Sequence, residues 1–184
     1  MFIHLQIGCT HRLFFYIINN KKRQKPMNHM THTKPLPVAF AAPAQEALYR
    51  RYGDPRSTGW ETRWMELRLI CETFAWFPQN RIYIHKDFKA VLAPALKALE
   101  AKGLHKEVKT CDGCFNIRHV RGGYSVLSVH SWGAAIDLNA RENPIATAGK
   151  WSLAFIETMS SHKLYCGQSW TGRKDPMHFA MVNG

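Results

Sequence analysis

Two histidines and two aspartates late in this sequence have the types and spacing to build a hydrolytic metal centre. The first informative run is Ser128-Val-His130-Ser-Trp-Gly133-Ala-Ala135-Ile-Asp137, and Asp175-Pro-Met-His178-Phe follows about 40 residues later. Two imidazole nitrogens and one carboxylate oxygen, from His130, Asp137 and His178, can hold a single Zn²⁺. They leave the fourth tetrahedral position open, which is the arrangement of catalytic rather than structural zinc sites. Asp175 precedes His178 by three residues across a proline-containing turn, so its carboxylate can reach a water at the metal without ligating the metal. It is the natural general base, taking a proton from water and passing it later to a departing amine. Taken singly, each residue has an ordinary reading. A lone histidine among ten is more often capped or exposed than a ligand, and an Asp beside Pro is usually a turn residue.

Side chains so far apart in the chain need rigid elements to meet. A strand over residues 134–139 puts Ala135, Asp137 and Asn139 on one face and Ile136 and Leu138 on the other. A strand over 177–182 alternates His178 with Met177 and Phe179. Further short strands are expected over 81–85, 115–120 and 124–129. Apolar residues at helical spacing predict helices over 44–51, 62–77, 87–102 and 150–162. In the third of these Asp87 is the candidate N-cap and Gly103 the candidate C′ residue, while Pro94 marks a start or a kink. Helices early and short strands late, without a regular βαβ rhythm, predict an α+β domain. Its expected architecture is a small antiparallel sheet carrying the metal site, flanked by helices.

The chain has 184 residues and a formal net charge of +12. Six of its 25 basic residues precede the first acidic one, Glu46, leaving 19 basic against 13 acidic residues and a net of +6 in the remainder. A moderately basic body suits an anionic cell-wall polymer and suits nucleic acid equally well, so charge alone does not choose. Residues 1–42 are expected to be a disordered or mis-started N-terminal extension, with Met27 and Met30 as candidate starts, and 43–184 the folded domain. The apolar run 13–18 follows His11 and Arg12 and precedes Lys21-Lys22-Arg23; its order is wrong for a secretory signal and its length too short for a membrane span. Five cysteines at irregular spacing imply no disulfide framework. Cys111-Asp-Gly-Cys114 is a lone CxxC, read as a tight turn with two half-buried thiols, with a redox or structural-metal role as the alternative.

The two informative runs resemble the signatures SxHxxGxAxD and (D/E)xxH of the zinc D-Ala-D-Ala carboxypeptidase family, which includes the L-alanyl-D-glutamate endopeptidases used by bacteriophages as endolysins. Ser128, His130, Gly133, Ala135 and Asp137 fill the first signature, and Asp175 and His178 the second. The resemblance extends over residues 81–179, through Cys114-Phe-Asn-Ile-Arg118-His-Val-Arg121-Gly-Gly123 and the Gly167/Trp170 stretch. It implies that His130, Asp137 and His178 ligate one zinc ion and that Asp175 is the catalytic acid/base. Arg118 matches the arginine placed over the scissile carbonyl or a substrate carboxylate, with Arg121 its rival as a substrate-binding residue. Ser128 matches the serine that supports the site by hydrogen bonding to substrate or ligand shell.

The chain reads Cys166-Gly-Gln-Ser-Trp170 where the family often has Gly-Gly-x-Trp, which implies a different pocket shape there. Met177 stands where the carboxypeptidase branch often has tryptophan and leans towards the endolysin branch. The resemblance implies a zinc metallopeptidase that hydrolyses peptidoglycan stem peptides, of the bacteriolytic endolysin type. The competing readings are a D,D-carboxypeptidase trimming terminal D-Ala and a non-catalytic wall-binding protein. A monomer is expected, with no specific nucleic-acid partner and no membrane span. Synthesis in the cytoplasm and action on the wall after release complete the expectation.

Overall fold

The computed structural model describes residues 43–183, which fall within one compact unit beginning at Pro37. The expected extension, residues 1–42, lies outside the described residues, as does its apolar run. The elements are α1 (Pro43–Tyr52), α2 (Trp60–Trp64), β1 (Met65–Arg68), β2 (Ile82–His85), α3 (Lys86–Ala101), β3 (Cys111–Gly113), β4 (Ala135–Leu138), α4 (Leu153–Ser161), β5 (Tyr165–Gly167) and β6 (Asp175–Ala180). Strands β1 and β2 pair with each other, and the other four form an antiparallel sheet in the order β3-β4-β6-β5. The fold is α+β, as the sequence predicts.

The central pair β4–β6 does most to position the chemistry. Its register sets Asp137 opposite His178 and Ile136 opposite Phe179. Successive side chains on a strand point to opposite faces, and directly opposed residues share one. One face therefore carries Asp137 and His178. The other packs Ile136, Leu138 and Phe179 into the main core against Phe155 and Met159 of α4 and Leu92, Leu96 and Leu99 of α3. Trp151 stacks on Phe155 at 4.3 Å, and Phe155 meets Phe179 edge-on at 5.8 Å. Truncating an aromatic residue in such a core costs about 3–5 kcal/mol.

Helix α3 follows from Phe88, Leu92, Ala95, Leu96 and Leu99, all buried at 3.6-residue spacing. Its N-cap is His85 rather than Asp87: His85 Nδ1 accepts from the Asp87 N–H at 3.1 Å. Gly103 takes the left-handed conformation (φ 70°) just past the end, as expected. The helix passes through Pro94 without a break, although that residue has no N–H to donate.

Four segments differ from the sequence reading. Residues 62–77 are not one helix: α2 ends at Trp64 and β1 follows, pairing Met65 with His85 and Arg68 with Ile82. Leu67, which helical spacing over 62–77 would set on one apolar face with Trp64, Ile70, Cys71 and Phe74, is 59 % exposed. Strand β2 needs a ladder partner, and β1 supplies it at the expense of local helical preference. Residues 115–120 and 124–129 form no strands, only an isolated bridge between His119 and Leu127. Their backbone groups turn instead to the signature: Asn116 N–H donates to the His130 carbonyl, and Ser128 N–H to that of Arg118. The CxxC is not a turn; Cys111–Gly113 is edge strand β3, and both cysteines are buried rather than half-buried.

Candidate metal centre and active site

His130 lies on a single 3₁₀ turn, Val129–Trp132, that leads directly into β4. Gly133 ends the turn at φ 59°, a left-handed conformation that L side chains rarely adopt, and its carbonyl accepts from the His85 N–H at 3.2 Å. Ala135 is fully buried in a second apolar cluster that joins α1 to this turn, with Leu48, Trp60 and Trp132. Trp132 fastens the two by donating from Nε1 to the Gly53 carbonyl at 2.9 Å. An added Cβ at Gly133 would meet the Met65 side chain at 2.5 Å and the His85 backbone nitrogen at 3.1 Å, so the turn lies close against β1 and β2.

Within this frame the three predicted ligands converge. His130 Nε2 lies 3.1 Å from Asp137 Oδ1 and 3.1 Å from His178 Nδ1, and His178 Nδ1 lies 3.3 Å from Asp137 Oδ1. Donor atoms about 2.0–2.1 Å from a tetrahedral zinc are about 3.3–3.4 Å apart, so this triangle has the dimensions of one face of such a site. The chemistry of the nitrogens fits as well. His130 Nδ1–H donates to the Cys114 carbonyl at 2.9 Å, which leaves Nε2 with a lone pair facing an anionic oxygen. A shared cation favours that arrangement. These residues form a group able to hold a metal ion, and their donor set suits zinc.

The electrostatics follow from burial. Desolvation alone raises the Asp137 carboxyl, but the imidazoles of His130 and His178 beside it outweigh that rise and hold the group below its ordinary range. Asp175 moves the other way. Burial raises its pKa, the charge of Asp137 adds to the rise, and His178, Arg121 and His130 oppose it. Its Oδ1 is buried without a hydrogen-bond partner. The carboxylate opens β6 opposite Gly167, where an added Cβ would meet the Asp175 carbonyl oxygen at 2.4 Å. Glycine is needed there for the two strands to approach.

A cavity of about 300 Å³ takes in Asp137, His178, Asp175, Arg118, Arg121 and Ser128 among its walls. All the predicted substrate-binding and catalytic residues therefore open on one space, while His130 reaches it through the ligand triangle. The Arg118 backbone is pinned to the signature turn, its carbonyl accepting from Ser128 N–H at 2.8 Å and from Ser131 Oγ at 3.0 Å. Trp170, noted only for its place in the departing Gly-Gln-Ser-Trp stretch, lines the same cavity and rests 5.6 Å from the His178 ring. Two features of the site were not read from the sequence. The Cys114 contribution is a backbone carbonyl, and Gln45 reaches the cavity from α1, far from either signature.

Among the described residues, no cysteine belongs to the metal-binding group. Burial pushes the Cys111 and Cys166 thiols up to about 12 and Cys114 well above its ordinary value, so all three stay protonated and unreactive. Among the described residues, no helix is long and apolar enough to cross a membrane. A comparison with curated proteins finds none that matches this chain. Residues 121–181, which carry the converging ligands and Asp175, match the sequence profile of a family described as D-alanyl-D-alanine carboxypeptidase, in agreement with the zinc peptidase family that the two signatures resemble.

Proposed function

We propose that this chain is a zinc peptidase that hydrolyses amide bonds in peptidoglycan stem peptides, acting as an endopeptidase of the phage endolysin type. The observation that carries the reading is the triangle of His130, Asp137 and His178 at the edge of a cavity that also contains Asp175. Zinc held by those three residues supplies Lewis-acid polarisation of the scissile carbonyl and lowers the pKa of water beside it. The protein's own groups supply the rest. Asp175, half-buried and with one oxygen uncommitted, accepts the proton of the attacking water and returns it to the leaving amine. A carboxyl whose pKa is raised exchanges protons more readily near neutral pH than an ordinary one. Arg118 stabilises the developing oxyanion or grips a stem-peptide carboxylate, with Arg121 close by for a second anionic group. Ser128 hydrogen-bonds the bound peptide. The enzyme is made in the cytoplasm and meets the wall after release.

The family description favours one competing reading, removal of a terminal D-Ala. Both reactions use the same centre and differ in the fragments they release. Mass spectrometry of isolated murein after digestion distinguishes them: the endopeptidase cuts within the stem or cross-bridge, whereas the carboxypeptidase removes one alanine. Digestion that continues undiminished in a strong chelator contradicts both.

A further inference from the structure

We infer that Gln45 is a specificity residue that reads a neutral peptide group of the substrate from the wall of the catalytic cavity. The inference rests on the peptidase reading above and concerns a residue outside the stretch that matches the family. Gln45 lies on α1, is 6 % exposed, and lines the same cavity as Ser128, Asp137 and His178. Its helical neighbours Ala44 and Leu48 are buried and apolar, and they pack into the cluster around Trp132.

Gln45 Oε1 is buried with no hydrogen-bond partner in the protein. An unpaired buried acceptor weakens a fold, and an apolar side chain of similar volume would serve the packing better. Because Gln45 lines the cavity, a turn of its amide presents acceptor or donors to that space, and the missing partner is expected to come from whatever fills it. A primary amide offers one acceptor and two donors, so it complements the N–H and C=O of a secondary amide whichever way its own group is turned. It carries no charge, which separates its task from that of the arginines: Arg118 and Arg121 suit the anionic ends of a stem peptide, and Gln45 suits the backbone between them.

The test uses the full-length, zinc-loaded chain and soluble stem peptides released from murein. Gln45→Leu removes both hydrogen-bonding functions at similar volume, and Gln45→Met does the same with an unbranched chain should the leucine variant fold poorly. The KM is expected to rise about tenfold, with kcat changed less than about twofold. Zinc content stays as in the parent and Tm is equal or higher, because the unpaired acceptor is gone. An unchanged KM overturns the inference and leaves the peptidase reading standing. A raised KM accompanied by lower Tm and lost zinc assigns Gln45 to the scaffold and also overturns it. If the parent chain neither binds nor cleaves stem peptides, the peptidase reading falls and this inference falls with it.

Discussion

His85 and His130 are both buried histidines that cap or turn the chain beside a strand, yet their surroundings give them opposite characters. His85 is enclosed by aromatic rings, with Tyr52 at 4.3 Å, Trp64 stacked at 5.5 Å and Trp60 at 5.9 Å. Its Nδ1 accepts a backbone N–H at the start of α3, and its Nε2 finds no partner. Burial lowers its pKa to about 4, so it stays neutral; Asp87 opposes this shift while Arg51 and Lys86 assist it. His130 instead donates from Nδ1 to a carbonyl and turns Nε2 towards a carboxylate and a second imidazole. Burial alone does not make a functional histidine. What faces the two ring nitrogens decides.

The two sites should respond most differently when one histidine is removed from each. His178→Ala should cost more in zinc affinity than the roughly 10–100-fold typical of losing a supporting partner, and it should abolish murein digestion. His85→Leu should leave zinc content unchanged. Titration of the apo protein with zinc reads both. If the two substitutions weaken zinc equally, the distinction fails.

Asp175→Asn sharpens the account within the active centre. The substitution should lower kcat by about 10²–10⁴ while zinc still binds, because the carboxylate moves protons and is not a ligand. A variant that loses its zinc instead would place Asp175 among the ligands.

The pH dependence of stability tests His85 in another way. A histidine whose folded pKa is depressed binds fewer protons folded than unfolded, so its contribution is full above the unfolded value of about 6.5. That contribution is lost progressively as pH falls towards about 4, the folded value of His85. Thermal melts should show this loss in the parent and a flatter profile over the same range in His85→Leu. An unchanged profile would mean that His85 does not carry it.

The smallest effect is expected at Cys114. Its carbonyl, not its thiol, holds His130, so Cys114→Ala should cost about 1–2 kcal/mol of stability through lost packing and leave zinc affinity intact. A large loss of zinc would return the CxxC to the metal site.

The sequence made the site more legible than the fold around it. The ligands could be read because a β-strand imposes a period of two: Asp137 and His178 each alternate with apolar residues, and the register of β4 against β6 brings them face to face. The apolar spacing of α3 was legible for the same kind of reason. The reading failed where pairing between distant segments decided the local structure. Residues 65–68 had helical spacing, but their backbone groups pair with β2, and nothing within the segment announces that partner. Residues 115–120 looked like a strand and instead spend their hydrogen bonds on the signature turn. Gln45 was invisible because its role depends on where α1 docks, which Trp132 and Gly53 settle from another part of the chain.

The most direct test of the centre is X-ray absorption at the zinc edge of the purified full-length protein. The account predicts one zinc per chain with only nitrogen and oxygen neighbours near about 2.0–2.1 Å, two of them imidazole. A sulfur neighbour near about 2.3 Å, or protein that retains zinc undiminished after loss of His130, Asp137 and His178, would contradict it.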